Sequence, residues 1–65
     1  MIIRNIAECR LCGDTIESKY RHNFVTCKCG EIFVDGGTDY LRRGANNNLY
    51  NIIEKSEYRN DEEKF

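Results

Sequence analysis

Four cysteines arranged as two close pairs, Cys9-Arg10-Leu11-Cys12 and Cys27-Lys28-Cys29, sit in a chain of only 65 residues, and nothing else in the sequence constrains its fold as strongly. Each pair is followed by glycine and then an acid, Gly13-Asp14 and Gly30-Glu31, so the second copy repeats the first with one residue fewer between its thiols. A chain this short buries only about 60% of the surface that its unfolded form exposes. With hydrophobic residues at 40% and neither Trp nor Pro, apolar burial leaves a margin of roughly 3–5 kcal/mol. A staple is expected, and the cysteines are the one candidate for it.

Two disulfides or one metal site would each serve. Met1 to Glu8 holds no apolar run of signal-peptide length, and no stretch approaches the ~18 apolar residues of a membrane span. The expected setting is therefore the cytoplasm, without membrane association, where thiols stay reduced. A redox Cys-x-x-Cys remains a competing reading, although it wants a βαβ context that the chain is too short to provide.

Tetrahedral zinc takes four thiolates at about 2.3 Å, and two local pairs separated by a loop bring them together in a short chain. Cys9 and Cys12 have the usual knuckle spacing, and Gly13 stands where that turn needs a permissive φ. Cys27 and Cys29, at i and i+2 of an extended segment, share a face and converge on the same ion if the backbone bends at Gly30. Fourteen residues lie between Cys12 and Cys27, enough for two short strands and a bend. Iron fits the same four sulfurs and is the second choice of metal. With the tetrahedron filled by thiolates, no position is left for water, so the ion is expected to be structural and the chain not an enzyme. His22 is the one spare ligand, and a solvent-facing or supporting role is the plainer expectation for it.

Met1 to Glu8, Asp14 to Ser18, Asn23 to Thr26 and Glu31 to Asp35 read as short strands, the last with Ile32 and Val34 on one face and Phe33 on the other. The fold class expected is a small metal-stabilised β protein, a zinc ribbon with a short antiparallel sheet over residues 1–45. Asp35-Gly36-Gly37 signals a turn; Thr38 can then cap one helical turn from Asp39 to Arg43, stopped by Gly44. Asn46-Asn47-Asn48 marks a loop or boundary before an acidic extension, residues 46–65. There Leu49, Ile52 and Ile53 fit a helical stripe, with an extended segment as the alternative, and Asn60 to Lys64 read as a frayed end.

The segments CRLCGDTIESK, RHNFVTCKCG and VDGGTDYLRR, between Cys9 and Arg43, resemble a family of small zinc-ribbon proteins of bacteria and their phages that has no assigned function. The resemblance covers a little over half of the chain. It implies a zinc ribbon on Cys9, Cys12, Cys27 and Cys29 and a viral or mobile-element setting, and it supplies no catalytic residues. Zinc ribbons at large more often carry Cys-x-x-Cys at both knuckles, so Cys27-Lys28-Cys29 departs from the broad pattern.

Three features offer binding surfaces, one of them the acidic tail, which can dock on a basic partner or imitate nucleic acid but is most often a solvated end. Lys19, Tyr20, Arg21 and His22 are expected at the tip of a hairpin between the cysteine pairs; Tyr40, Arg42 and Arg43 are expected on the helical turn, with the arginines placed to grip phosphate or carboxylate. The plain alternative is a solvated loop and dipole compensation. Net charge is −1, with seven Lys/Arg against six Asp/Glu up to Gly44 and three against five beyond it. General nucleic-acid binders carry a basic excess that this chain lacks. A protein–protein adaptor is therefore the first expectation, in a phage setting acting on host machinery or a defence system. The alternative is a nucleic-acid-binding ribbon using Lys19, Tyr20, Arg21, Lys28, Arg42 and Arg43, with bases stacked on the tyrosines.

Overall fold

The computed structural model of the protein describes residues 1–59. Its backbone is antiparallel β throughout, in two small sheets. Strand β1 (Ile2–Cys9) is the longest and is flanked by β2 (Thr15–Ser18) on one side and by β6 (Ile52–Glu54) and β7 (Glu57–Tyr58) on the other. The second sheet has the order β3 (Val25–Thr26), β4 (Ile32–Asp35), β5 (Arg42–Ala45).

These segments are strands for ordinary reasons. Ile and Val are stiff at χ1 and suit a pleated, half-buried surface, and period-two alternation puts Ile32 and Val34 inward and Phe33 outward on β4. The sheets meet through those inward residues. Ala7, Cys9, Ile16, Cys27, Ile32 and Val34 form the buried core, with Cys12, Val25, Ala45 and Ile52 packed on its margin. Cys9 and Cys27 thus belong to the core itself, with Cys12 at its margin and Cys29 exposed, which explains how so few aliphatic side chains suffice.

Polar side chains stitch the sheets away from the cysteines. Asn5 of β1 has no solvent-exposed surface; its amide donates to the carbonyls of Asp35 at 2.8 Å and Gly37 at 3.0 Å, and its oxygen accepts from the Arg43 guanidinium. Ser18 donates to the Asn23 carbonyl at 2.7 Å and accepts from the Gly37 amide at 2.9 Å. A buried polar group costs little only when it is satisfied, and here the partners come from β4, β5, the turn between them and the segment before β3. Gly37, at φ 56°, lies against the backbone of Tyr20, where a Cβ would have no room.

Three expectations are corrected. Asp39 to Arg43 is not a helical turn: the chain turns through Gly37–Asp39 and Arg42-Arg43 enter β5, paired with Asp35 and Val34. The capping signals lose because extending here pairs β4 along its whole length. Nor does a C-terminal helix form among the described residues. Asn48 caps a single 3-10 turn, Leu49–Asn51, after which Ile52 and Ile53 pair with Cys9 and Glu8 on the open edge of β1. Finally, Lys19–His22 is not a hairpin tip, because β2 pairs with β1 while β3 pairs with β4, so the segment crosses from one sheet to the other. The expected frayed end, Asn60 to Lys64, lies outside the described residues. No described helix is long and apolar enough to cross a membrane.

Candidate metal centre

The two cysteine pairs occupy turns of matching construction. In the first, Cys9 N–H donates to the Asp14 carbonyl at 2.8 Å and Gly13 N–H to the Cys9 carbonyl at 2.8 Å. In the second, Cys27 N–H donates to the Ile32 carbonyl at 3.1 Å and Gly30 N–H to the Cys27 carbonyl at 3.0 Å. Gly13 and Gly30 share nearly the same positive φ, 77° and 79°. The second turn is one residue shorter, and it still brings both sulfurs to the first pair, that of Cys27 buried and that of Cys29 exposed.

Together the turns bring all four sulfurs within 4.8 Å of one another. Cys29 Sγ lies 3.6 Å from the sulfurs of both Cys9 and Cys27. A tetrahedron with bonds of about 2.3 Å has edges of about 3.8 Å, so these separations suit four ligands around one ion. All four are free thiols. Backbone amides aim at the sulfurs, Cys12 N–H at Cys9 Sγ (3.5 Å) and Ile32 N–H at Cys27 Sγ (3.4 Å).

Proton affinities across the cluster diverge. Cys12 is pulled down to about 6, chiefly by the backbone N–H of Asp14 and then that of Cys29. Cys27 is lowered as well; burial opposes ionisation there, and the Ile32 N–H favours it. For Cys29 the Glu31 N–H favours the thiolate, yet desolvation and the three neighbouring sulfurs outweigh it and push the thiol up to about 12. Sulfurs this close resist carrying their charges together unless a cation lies between them. The donor set therefore fits a metal ion, and Cys9, Cys12, Cys27 and Cys29 are the residues that would hold it. Such an ion would hold the two sheets together at their common end.

The acids that follow the two glycines lace the centre to the rest of the molecule. Asp14 Oδ2 accepts from Lys28 N–H at 2.9 Å, so the first turn holds the second. Glu31, 4% exposed, accepts from the backbone N–H groups of Asn47 (2.9 Å) and Asn48 (3.1 Å) and from the amides of Asn47 (2.6 Å) and Asn51 (3.0 Å). These bonds, that of Asn51 first, hold its carboxyl down at about 2. The asparagine run that read as a boundary is thus a clamp on the second knuckle. The signal for both acids was their shared place in the cysteine repeat, which their turn-like surroundings concealed.

The remaining sequence candidates divide. His22, at φ 66° in the crossover, sets its Nδ1 3.3 Å from the Tyr40 hydroxyl, its ring edge-on to that of Tyr40. Tyr20 is exposed beside the buried Gly37, and Lys19, Arg21 and Lys28 are exposed too. Arg42 and Arg43 point to opposite faces of β5. Arg43 turns inward to Asn5, Glu54 and Ser56, while Arg42 faces out over the Phe33 ring, 6.0 Å from its centroid, and reaches Asp35 at 3.7 Å. Sequence reasoning passed over the surface that Arg42 joins: Phe33 stacks on Phe24 with centroids 4.8 Å apart and planes at 22°. It also missed Arg10, whose guanidinium covers the Tyr50 ring at 4.1 Å beside the first knuckle.

A family model described as Domain of unknown function (DUF7695) matches residues 1–45. No curated protein and no solved structure matches the chain.

Proposed function

This chain belongs to the DUF7695 family, and we propose that it is a zinc-ribbon binding module: non-catalytic, held in shape by one structural zinc on Cys9, Cys12, Cys27 and Cys29, and working by contact with another protein. The observation that carries this reading is the convergence of four sulfurs within 4.8 Å, which would fill a tetrahedral ion's coordination sphere from the protein alone. An ion so enclosed organises the chain and leaves no position for a water nucleophile. Zinc is preferred to iron because its role there needs no redox partner; iron would declare itself by thiolate-to-iron colour.

A protein partner is favoured over nucleic acid by the placement of the basic residues. Clamping phosphates with Arg42 and Arg43 needs both on one face, and β5 separates them. What the outer surface offers instead is Phe24, Leu11, Leu49 and Tyr50, all large and exposed, in the company of single arginines. Aromatic and arginine side chains are the groups that dominate protein interfaces. In the bacterial or phage setting that the sequence resemblance implies, such a partner would be host machinery or a defence component. Native mass spectrometry of the purified chain should give one zinc per molecule, and affinity capture should recover a protein that is lost when the bait is stripped of metal. A metal-free native chain, or repeated capture of nothing, would overturn the reading.

A further inference from the structure

The outer face of the β3–β4–β5 sheet is built differently from an ordinary solvated face. Phe33 lies opposite Gly44 on the neighbouring strand, and its ring covers that glycine so closely that a Cβ there would fall 2.5 Å from the ring. Phe24, 55% exposed, stacks on the same ring, and the Arg42 guanidinium lies over it. Thr26, opposite Phe33 on β3, completes the face. A solvated face needs neither a vacated Cβ nor a stacked phenylalanine pair.

Charge says what such a face attracts. Residues 19–45 hold four exposed basic side chains, Lys19, Arg21, Lys28 and Arg42, with Arg43 turned inward to Glu54, against three acids, Glu31, Asp35 and Asp39. Two of the acids are buried and engaged, Glu31 by the asparagine clamp and Asp35 by the Gly36 amide and Arg42. Arg42 remains 64% exposed and holds Asp35 only at 3.7 Å, so its guanidinium keeps donors for a second carboxylate.

Resting on the reading of the chain as a protein-binding module, we infer that this face docks an acidic peptide segment of the partner, an apolar side chain covering Phe24 and Phe33 and a neighbouring carboxylate on Arg42. Stacked bases suit it less well: the two rings cover one face of each other, and Arg42 lies on Phe33. A second copy of the chain suits it less well too, because a two-fold contact through one patch sets each Arg42 near its mate.

The test is selection of a displayed library of random twelve-residue peptides on the full-length, zinc-loaded chain. Enriched sequences are expected to place Asp or Glu within a few residues of a large apolar side chain. A synthetic peptide of that sequence should bind at least tenfold more weakly to Phe24→Ser and to Arg42→Glu, while Tyr58→Ala, on β7 of the other sheet, binds it unchanged. Replacing the peptide's acid by lysine should restore binding to Arg42→Glu, a result that general destabilisation cannot produce. Enrichment of nothing, or of peptides without acids, overturns the inference. Peptides whose binding falls with Tyr58→Ala and survives Phe24→Ser overturn it as well, while leaving the protein-binding module standing. So does a labelled thymidine 20-mer that binds and is released by Phe24→Ser, or a dimer in sedimentation that Phe24→Ser dissociates.

Discussion

Gly13 and Gly37 both have positive φ, yet they answer to different constraints. A Cβ on Gly13 would meet nothing, so Gly13→Ala adds only the strain of a left-handed L-residue, about 1–2 kcal/mol. On Gly37 it would fall on the Tyr20 backbone, and Gly37 cannot back away without breaking its own bonds to Ser18 and Asn5. Thermal melts of the two zinc-loaded variants should therefore show Gly37→Ala the lower, and equal melting points would refute the packing argument. Glu31 makes a second residue-scale prediction. Its carboxyl sits at about 2 in the fold against an ordinary 4.5, so the ionised form is the one that stabilises. That contribution is complete above about pH 4.5 and is lost as pH falls toward 2. Glu31→Gln should melt below the wild type at neutral pH, and the gap between the two should close on acidification through that window. Acid also releases metal from thiolates, which makes the difference between the variants, and not either curve alone, the quantity to follow.

Strand β1 is the element on which the others depend. It carries Cys9 at one end and Asn5 in the middle, and its two edges take β2, β6 and β7. The family match stops at residue 45, whereas the pairing of Ile52 with Cys9 and of Glu57 with Arg4 comes from beyond it. A chain cut after residue 45 would also leave Glu31 without Asn47, Asn48 and Asn51. Such a fragment should still bind zinc through its four cysteines but melt well below the full chain, with amide exchange accelerated along the freed edge of β1. Unchanged protection at Glu8 and Cys9 would show that β6 adds nothing. The errors of sequence reading also fall on elements. Leu49, Ile52 and Ile53 match a helical stripe as well as they match anything local, and only the vacant edge of β1 makes Ile52 and Ile53 a strand. Likewise Thr38, Asp39 and Gly44 are good helix punctuation, but Gly44 serves to admit the Phe33 ring from across the sheet.

For the molecule as a whole, the four-cysteine cluster at one end and the polar stitch around Asn5, in the middle of β1 and at the far end of β4, join the same two sheets. Without the ion proposed for the cysteine cluster, the large buried aliphatic side chains Ile6, Ile16, Ile32 and Val34 are worth about 1.5–3 kcal/mol each, too little to order the chain. Structural zinc in small domains contributes on the order of 10–16 kcal/mol. Chelation under reducing conditions should accordingly abolish the cooperative melt, and Cys9→Ser should imitate chelation by lowering the bound zinc well below one per chain. Full order after either treatment would remove the basis of the proposed function. Cysteine spacing, the glycines behind it and the alternation on β4 are local facts, and they sufficed to place the thiol pairs on turns and the first four strands near where they stand. Which sheet each strand joins, the direction in which each arginine of a pair points, and the partners of Glu31 and Asn5 depend on residues distant in the chain. Tertiary structure alone decided those, because a strand edge or a buried carboxylate is satisfied by whatever the fold brings to it, and no short stretch of sequence records what that will be.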